Sequence, residues 1–163
     1  MEKSMDILFH TNDYIFSYRV AGICIKNDKI LLQKPTNDTA FAFPGGHVTL
    51  GETNEQTLMR EFREEIDADI NVGDLKWVGE LFFPWGNKQC HQICLYYNID
   101  IKSDNKCLED IFIGKEQLEE RKFDIEYYWI PLSELKNIEI YPTNAKELVN
   151  QIDSGVQHFI YHE

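Results

Sequence analysis

With 163 residues, 43% of them apolar and 13% aromatic, the chain is long enough to bury a core and too apolar to be disordered. A net charge of −12 excludes a dedicated binder of DNA or RNA backbones, which needs a basic face. The longest apolar run is far below the roughly 18 residues of a membrane span, and Asp6 beside a short ILF run breaks any signal peptide.

Tyr14 to Ile25 alternates and then turns apolar, which predicts a strand entering the core. Asn27-Asp28 predicts a turn, with Lys29 to Lys34 as the hairpin partner. Pro35 to Thr39 reads as a loop and Phe41 to Phe43 as a short strand. Thr53 with Gln56 three residues on predicts a capping box and a helix ending near Asp67. Ile70 to Val72 reads as a short edge strand, Leu75 to Phe83 and His91 to Ile101 as longer ones, with Pro84 to Asn87 as the turn between them. Ser103 to Arg121 is polar and acidic, an irregular connection with a helical turn around Lys115 to Glu120. Phe123 to Ile130 returns as a strand, and Ser133 caps a brief helix through Leu135. Thr143 caps a last helix whose Ala145, Leu148, Val149 and Ile152 repeat at helical spacing, closed by Gly155. Val156 to Tyr161 adds a final strand or simply trails. With no linker or repeat, residues 1–163 form one domain of the α+β or α/β class around a mixed sheet.

Cys24, Cys90, Cys94 and Cys107 form no C-x-x-C pair and no disulfide framework, so reduced thiols and a cytoplasmic setting are expected. Cys90, His91 and Cys94 lie on an alternating strand and lack a fourth ligand, which argues against zinc.

The chemistry concentrates between Phe43 and Ala68, FPGGHVTLGETNEQTLMREFREEIDA. At about 100° per residue, Glu61, Glu64 and Glu65 share an arc of roughly 100°. Leu58, Met59, Phe62 and Ile66 fill the adjoining arc, and Gln56, Arg60 and Arg63 point away. Crowding like charges at these spacings destabilises a bare helix by a few tenths of a kcal/mol per pair. Oxygen-only ligands so crowded suit a hard divalent cation, Mg²⁺ or Mn²⁺.

Gly46, Glu52, Arg60, Glu61, Phe62, Glu64 and Glu65 match the pattern G-x5-E-x7-R-E-U-x-E-E, where U is bulky and apolar. This resembles the Nudix box, and over Ala42 to Ala68 the chain resembles the Nudix hydrolase family. Outside that stretch only the order of elements matches. One position departs: the family continues with a Gly after the paired Glu, and here it is Asp67, followed by the small Ala68.

The resemblance implies an α/β/α sandwich and metal-dependent hydrolysis of a small nucleotide. Glu61, Glu64 and Glu65 would be metal ligands, with Gly45 lending a carbonyl and Gly46 letting backbone approach the phosphates. Arg60 would pair with Glu52 to fix the loop on the helix. The general base stays open among Glu64, Glu65, Glu119 and Glu120. Pro84 stands sixteen residues after Ala68, a spacing that resembles family members acting on ADP-ribose. Phe82, Phe83 and Trp85 are candidates for stacking on a base. A nucleoside diphosphate linked to another moiety is therefore the expected substrate, ADP-ribose-like compounds first. The alternatives are hydrolysis of oxidised nucleoside triphosphates and a non-catalytic nucleotide sensor. No nucleic-acid polymer or membrane partner is implied, and the oligomeric state stays open, a homodimer included.

Overall fold

The computed structural model describes residues 5–103, 110–118 and 121–163. Two sheets form the middle layer. The larger joins β1 (Leu8–His10), β2 (Tyr14–Ile23), β7 (Lys88–Ser103), β6 (Asp69–Trp85) and β10 (Gln157–His162) in that spatial order, and β5 (Gly45–His47) also pairs with β2. The smaller joins β3 (Ile25–Lys26), β4 (Lys29–Pro35), β9 (Arg121–Pro131) and β8 (Ile111–Leu118). β2 runs parallel to β7 and β10 parallel to β6, while the other pairs are antiparallel, so the large sheet is mixed.

Each face of this layer carries a core. Helix α1 (Asn54–Ile66) lays Leu58, Phe62 and Ile66 against Val20, Ile99 and Tyr127. Helix α2 (Ala145–Asn150) lays Ala145, Leu148 and Val149 against Phe43, Trp77 and Phe159 on the other side. The result is the α/β/α sandwich around a mixed sheet that the sequence implies. No helix among the described residues is long and apolar enough to cross a membrane.

Local signals set several boundaries. Asn27 and Asp28 both take left-handed φ, 53° and 61°, as a two-residue hairpin between β3 and β4 requires. The capping box forms in both directions: the Thr53 hydroxyl accepts from the Gln56 N–H at 3.1 Å, and the Gln56 side chain accepts from the Thr53 N–H at 2.9 Å. Asp67 closes α1 in the left-handed conformation, φ 53° and ψ 41°. Its N–H donates to the Arg63 carbonyl and that of Ala68 to the Phe62 carbonyl, a left-handed cap of the kind normally given to Gly.

Asp67 carries the steric cost of that conformation, about 1 kcal/mol or more, and sets a carboxylate at the negative end of the helix dipole. Gly would return part of the gain by widening the unfolded ensemble. Asp67→Gly should therefore stabilise by about 0.5–1 kcal/mol, or roughly 2–4 °C. A thermal melt checks this, and a lower Tm would contradict it.

Other boundaries depart from the sequence reading. The segment Lys115 to Glu120 holds no helical turn over its described part, because residues 111–118 pair along β9 as a strand. Ile70 to Val72 is not a separate short strand but the start of the long β6, and there it pairs only with β7, because β10 joins β6 from Trp77 onward. Phe41 to Phe43 forms only isolated bridges, Gln33 with Ala42 and Phe41 with Ile140, and the strand begins at Gly45. The turn after Phe83 shrinks to Gly86-Asn87, with Pro84 and Trp85 inside β6. The first strand stops at Ile23, and Ile25 joins the smaller sheet. A 3-10 helix spans Leu132–Asn137 with Pro131 as its cap, so Ser133 lies inside it. The last helix starts after Asn144 rather than Thr143 and ends at Asn150, ahead of Ile152 and Gly155. Met59, placed with the apolar arc, is 43% exposed. Gln157–His162 does form a strand, parallel to β6.

Candidate functional site

Arg60 is the hub of the acidic helix face. Its Nε donates to both Glu52 oxygens at 3.0 and 3.1 Å, its Nη1 to Glu61 at 3.0 Å and Glu64 at 3.2 Å, and its Nη2 to the Thr49 hydroxyl at 3.0 Å. Thr57 adds a hydroxyl to Glu52 at 3.3 Å. Burial works against the guanidinium charge, but Glu61, Glu52 and Glu64 outweigh it and raise the Arg60 pKa. Arg60 lies just outside the carboxylate arc, one turn before Glu64, and its long side chain reaches over the acids. The contact fixes the Gly51-Glu52 turn, where Gly51 takes φ 89°, onto the helix.

The three carboxylates sit in different surroundings. Glu61 is largely buried, and that burial raises its pKa despite the opposing contacts with Glu65 and Arg60. Glu64 has a side chain 59% exposed. Glu65 is 8% exposed, and the Tyr127 hydroxyl donates to its Oε2 at 2.9 Å. Gly46 lies tight against Glu61: a Cβ there would stand 2.6 and 2.7 Å from the carboxylate oxygens. At Gly45 a Cβ would meet the backbone of Val20 and Ala21 instead.

Among the described residues, no three His, Cys, Asp or Glu side chains stand close enough to cage an ion as they are. The donor chemistry nevertheless fits a hard divalent cation. Every donor is oxygen, a cationic group already bridges Glu61 and Glu64, and the exposed Glu64 can turn. Cys90 and Cys94 do not join such a site. They face the interior, burial pushes both thiols up to about 11, and His91 lies on the opposite face of β7.

β5 borders two compartments. Gly46 faces α1, while Gly45 and His47 face the other side of the sheet, where His47 stands opposite Arg19. There a cleft of about 240 Å³ is lined by Arg19, Phe43, Phe83, Gln92, Tyr141 and Tyr161. Arg19 donates to the Phe43 carbonyl at 3.1 Å, and Gln92 accepts from the buried Ser17 hydroxyl at 3.1 Å. Trp85 stacks on His47, centroids 6.3 Å apart and planes at 19°, which brings it to β5, whereas Pro84 is exposed. Phe83 lines the cleft and Phe82 faces away. Glu119 and Glu120 lie outside the described residues. The cleft was not foreseen, although one signal existed: Arg19 is a charged residue in the inward register of Ile15, Ser17, Ala21 and Ile23.

A family model for the Nudix domain matches residues 17–151. An ADP-ribose pyrophosphatase of Methanocaldococcus jannaschii is 33% identical over 115 residues, covering 66% of this chain and 67% of that protein. The fold also superposes on a MutT protein from Bacillus halodurans, with TM-score 0.62 and 16% identity over 90% of this chain and 89% of the other. A Nudix hydrolase from Nitrosomonas europaea gives TM-score 0.59 and 17% identity, over 94% and 82%.

Proposed function

The chain belongs to the Nudix hydrolase family, and on that premise we propose that it cleaves the pyrophosphate bond of a nucleoside diphosphate linked to a second moiety. ADP-ribose-like compounds come first, because the relative from Methanocaldococcus jannaschii is named for that activity. The carrying observation is the single guanidinium that gathers Glu52, Glu61 and Glu64 on the helix face against which Gly46 packs.

Water adds to one phosphorus and the bridging P–O bond breaks, leaving two phosphomonoesters. Glu61, Glu64, Glu65 and the Gly45 carbonyl would hold a divalent cation, Mg²⁺ or Mn²⁺, which would screen the phosphate oxygens and acidify the attacking water. Glu64, the most exposed of the three carboxylates, is the best placed to take the proton from water. Arg60 and Glu52 position the glycine-rich loop rather than touch the reacting atoms. Gly46 lets the Glu61 carboxylate sit against bare backbone. The aromatic walls of the cleft hold the base, and Trp85, stacked on His47, stands on the same side of β5.

A panel of ADP-ribose, nucleotide sugars and oxidised nucleoside triphosphates tests the substrate class, with ADP-ribose-like compounds expected to show the highest kcat/KM. Preference for triphosphates would favour the sanitising activity. Tight binding without turnover would make the chain a sensor. Trp85→Ala should raise KM for the preferred compound more than it lowers kcat, the mark of uniform binding. An unchanged KM with lower stability would make Trp85 a packing residue.

A further inference from the structure

Arg60 secures two of the three helix carboxylates, and the third is held from the smaller sheet. The guanidinium bonds to Glu61 and Glu64, and Glu65 is not among its partners. Glu65 is 8% exposed and lies where the last turn of α1 meets β8 and β9. The fit there is close. A Cβ on Gly114 of β8 would stand 2.5 Å from the Glu65 carbonyl, 2.7 Å from the Tyr127 ring and 2.8 Å from Ile66. Tyr127, fully buried on β9, faces Phe112 in the β8–β9 register and stacks on it, centroids 5.1 Å apart and planes at 6°. From that fixed ring the hydroxyl donates to Glu65 Oε2 at 2.9 Å.

The kind of donor matters as much as its position. A carboxylate this far from water is costly to keep ionised unless hydrogen bonds replace the lost solvent. An arginine would supply them, but it would also cancel the charge and compete with an incoming cation. A phenol supplies one such bond and adds no charge, so Glu65 stays able to attract metal. The same carboxyl group meets Glu61, and two carboxylates in contact need a cation or a proton between them. Glu64, by contrast, has a side chain 59% exposed and tied to Arg60. Of the three acids, Glu65 is the one that a neutral, rigid group orients.

Taking the hydrolase reading above as given, we propose that Tyr127 is a positioning residue that aims the Glu65 carboxylate at the divalent cation. Metal affinity is then set from β9 as well as from the helix. Tyr127 does not touch the reacting atoms and acts through Glu65. A group behind a metal ligand fixes the ligand's orientation, and removing one typically weakens binding by about 10- to 100-fold.

Mn²⁺ titrated into the chelator-treated chain, with the free ion read by electron paramagnetic resonance, tests the proposal without turnover. Tyr127→Phe keeps the ring and its stack on Phe112 and removes only the hydroxyl. Its Mn²⁺ Kd should rise by about tenfold or more, while KM for the nucleotide at saturating Mn²⁺ stays unchanged. Ile125→Val, on the same strand and the same buried face, is the control for loosened packing. It should lower Tm and leave the Mn²⁺ Kd at its native value. A native Kd in Tyr127→Phe overturns the proposal and leaves the hydrolase reading standing. Equal weakening in Ile125→Val overturns it as well, because affinity would then follow packing in general. A native chain that takes up no Mn²⁺ overturns the metal-dependent reading itself, and the role of Tyr127 with it.

Discussion

Glu65→Gln should lower turnover by a factor on the order of 10² or more while the fold survives. The amide keeps the volume of the carboxylate and an oxygen that can accept from Tyr127, so the buried contact at 2.9 Å has a replacement. What it loses is the charge. Glu64→Gln should cost about as much turnover, but for a different reason. That side chain is largely exposed, so stability should move by no more than about 0.5 kcal/mol. Without metal, neutralising either residue relieves like-charge crowding on the helix, and the Tm should hold or rise slightly. Steady-state kinetics beside a thermal melt checks both variants. Near-native turnover in both would remove this helix from the mechanism.

Gly46→Ala should have a comparable effect through packing alone. The added methyl would stand within 2.6 to 2.7 Å of both Glu61 oxygens, a distance that forces the carboxylate out of its place. The cost in stability should be about 1–3 kcal/mol, and turnover should fall by roughly 10²-fold as Glu61 leaves the group that Arg60 assembles. Gly45→Ala separates the two effects, because there the methyl meets the backbone of Val20 and Ala21, which cannot move aside. That variant should cost more stability than Gly46→Ala, because Gly45 and its carbonyl must themselves shift. Native turnover in Gly46→Ala would mean that Glu61 is not needed where it sits.

Features governed by neighbours in sequence were legible from the chain alone. The Thr53 box, the Asn27-Asp28 hairpin and the left-handed Asp67 each depend on a few adjacent residues, and the shared arc of Glu61, Glu64 and Glu65 follows from helix geometry. Features governed by register were not. β8 reads as polar and irregular, and it becomes a strand because β9 pairs along it and because Gly114 tolerates close contact with the Glu65 carbonyl and Tyr127. Arg19, Gln92 and Tyr161 come from β2, β7 and β10, and only the order of those strands brings them to one cleft. Arg60 reads as pointing away from the acids, but its i,i+4 spacing to Glu64 sets it beside them. Trp85 looked like a turn residue, and the length of β6 carries it to His47 instead.

Titration of Mg²⁺ and Mn²⁺ into chelator-treated protein, with hydrolysis of ADP-ribose followed at each point, tests the central claim most directly. No turnover is expected before metal is added and saturable recovery with either ion, with AMP and ribose 5-phosphate in equal amounts. Glu65→Gln should show a weaker metal dependence curve and little product at saturation. Turnover that is complete in the presence of chelator would contradict the account, as would metal binding at full affinity after both Glu64 and Glu65 are replaced by Gln.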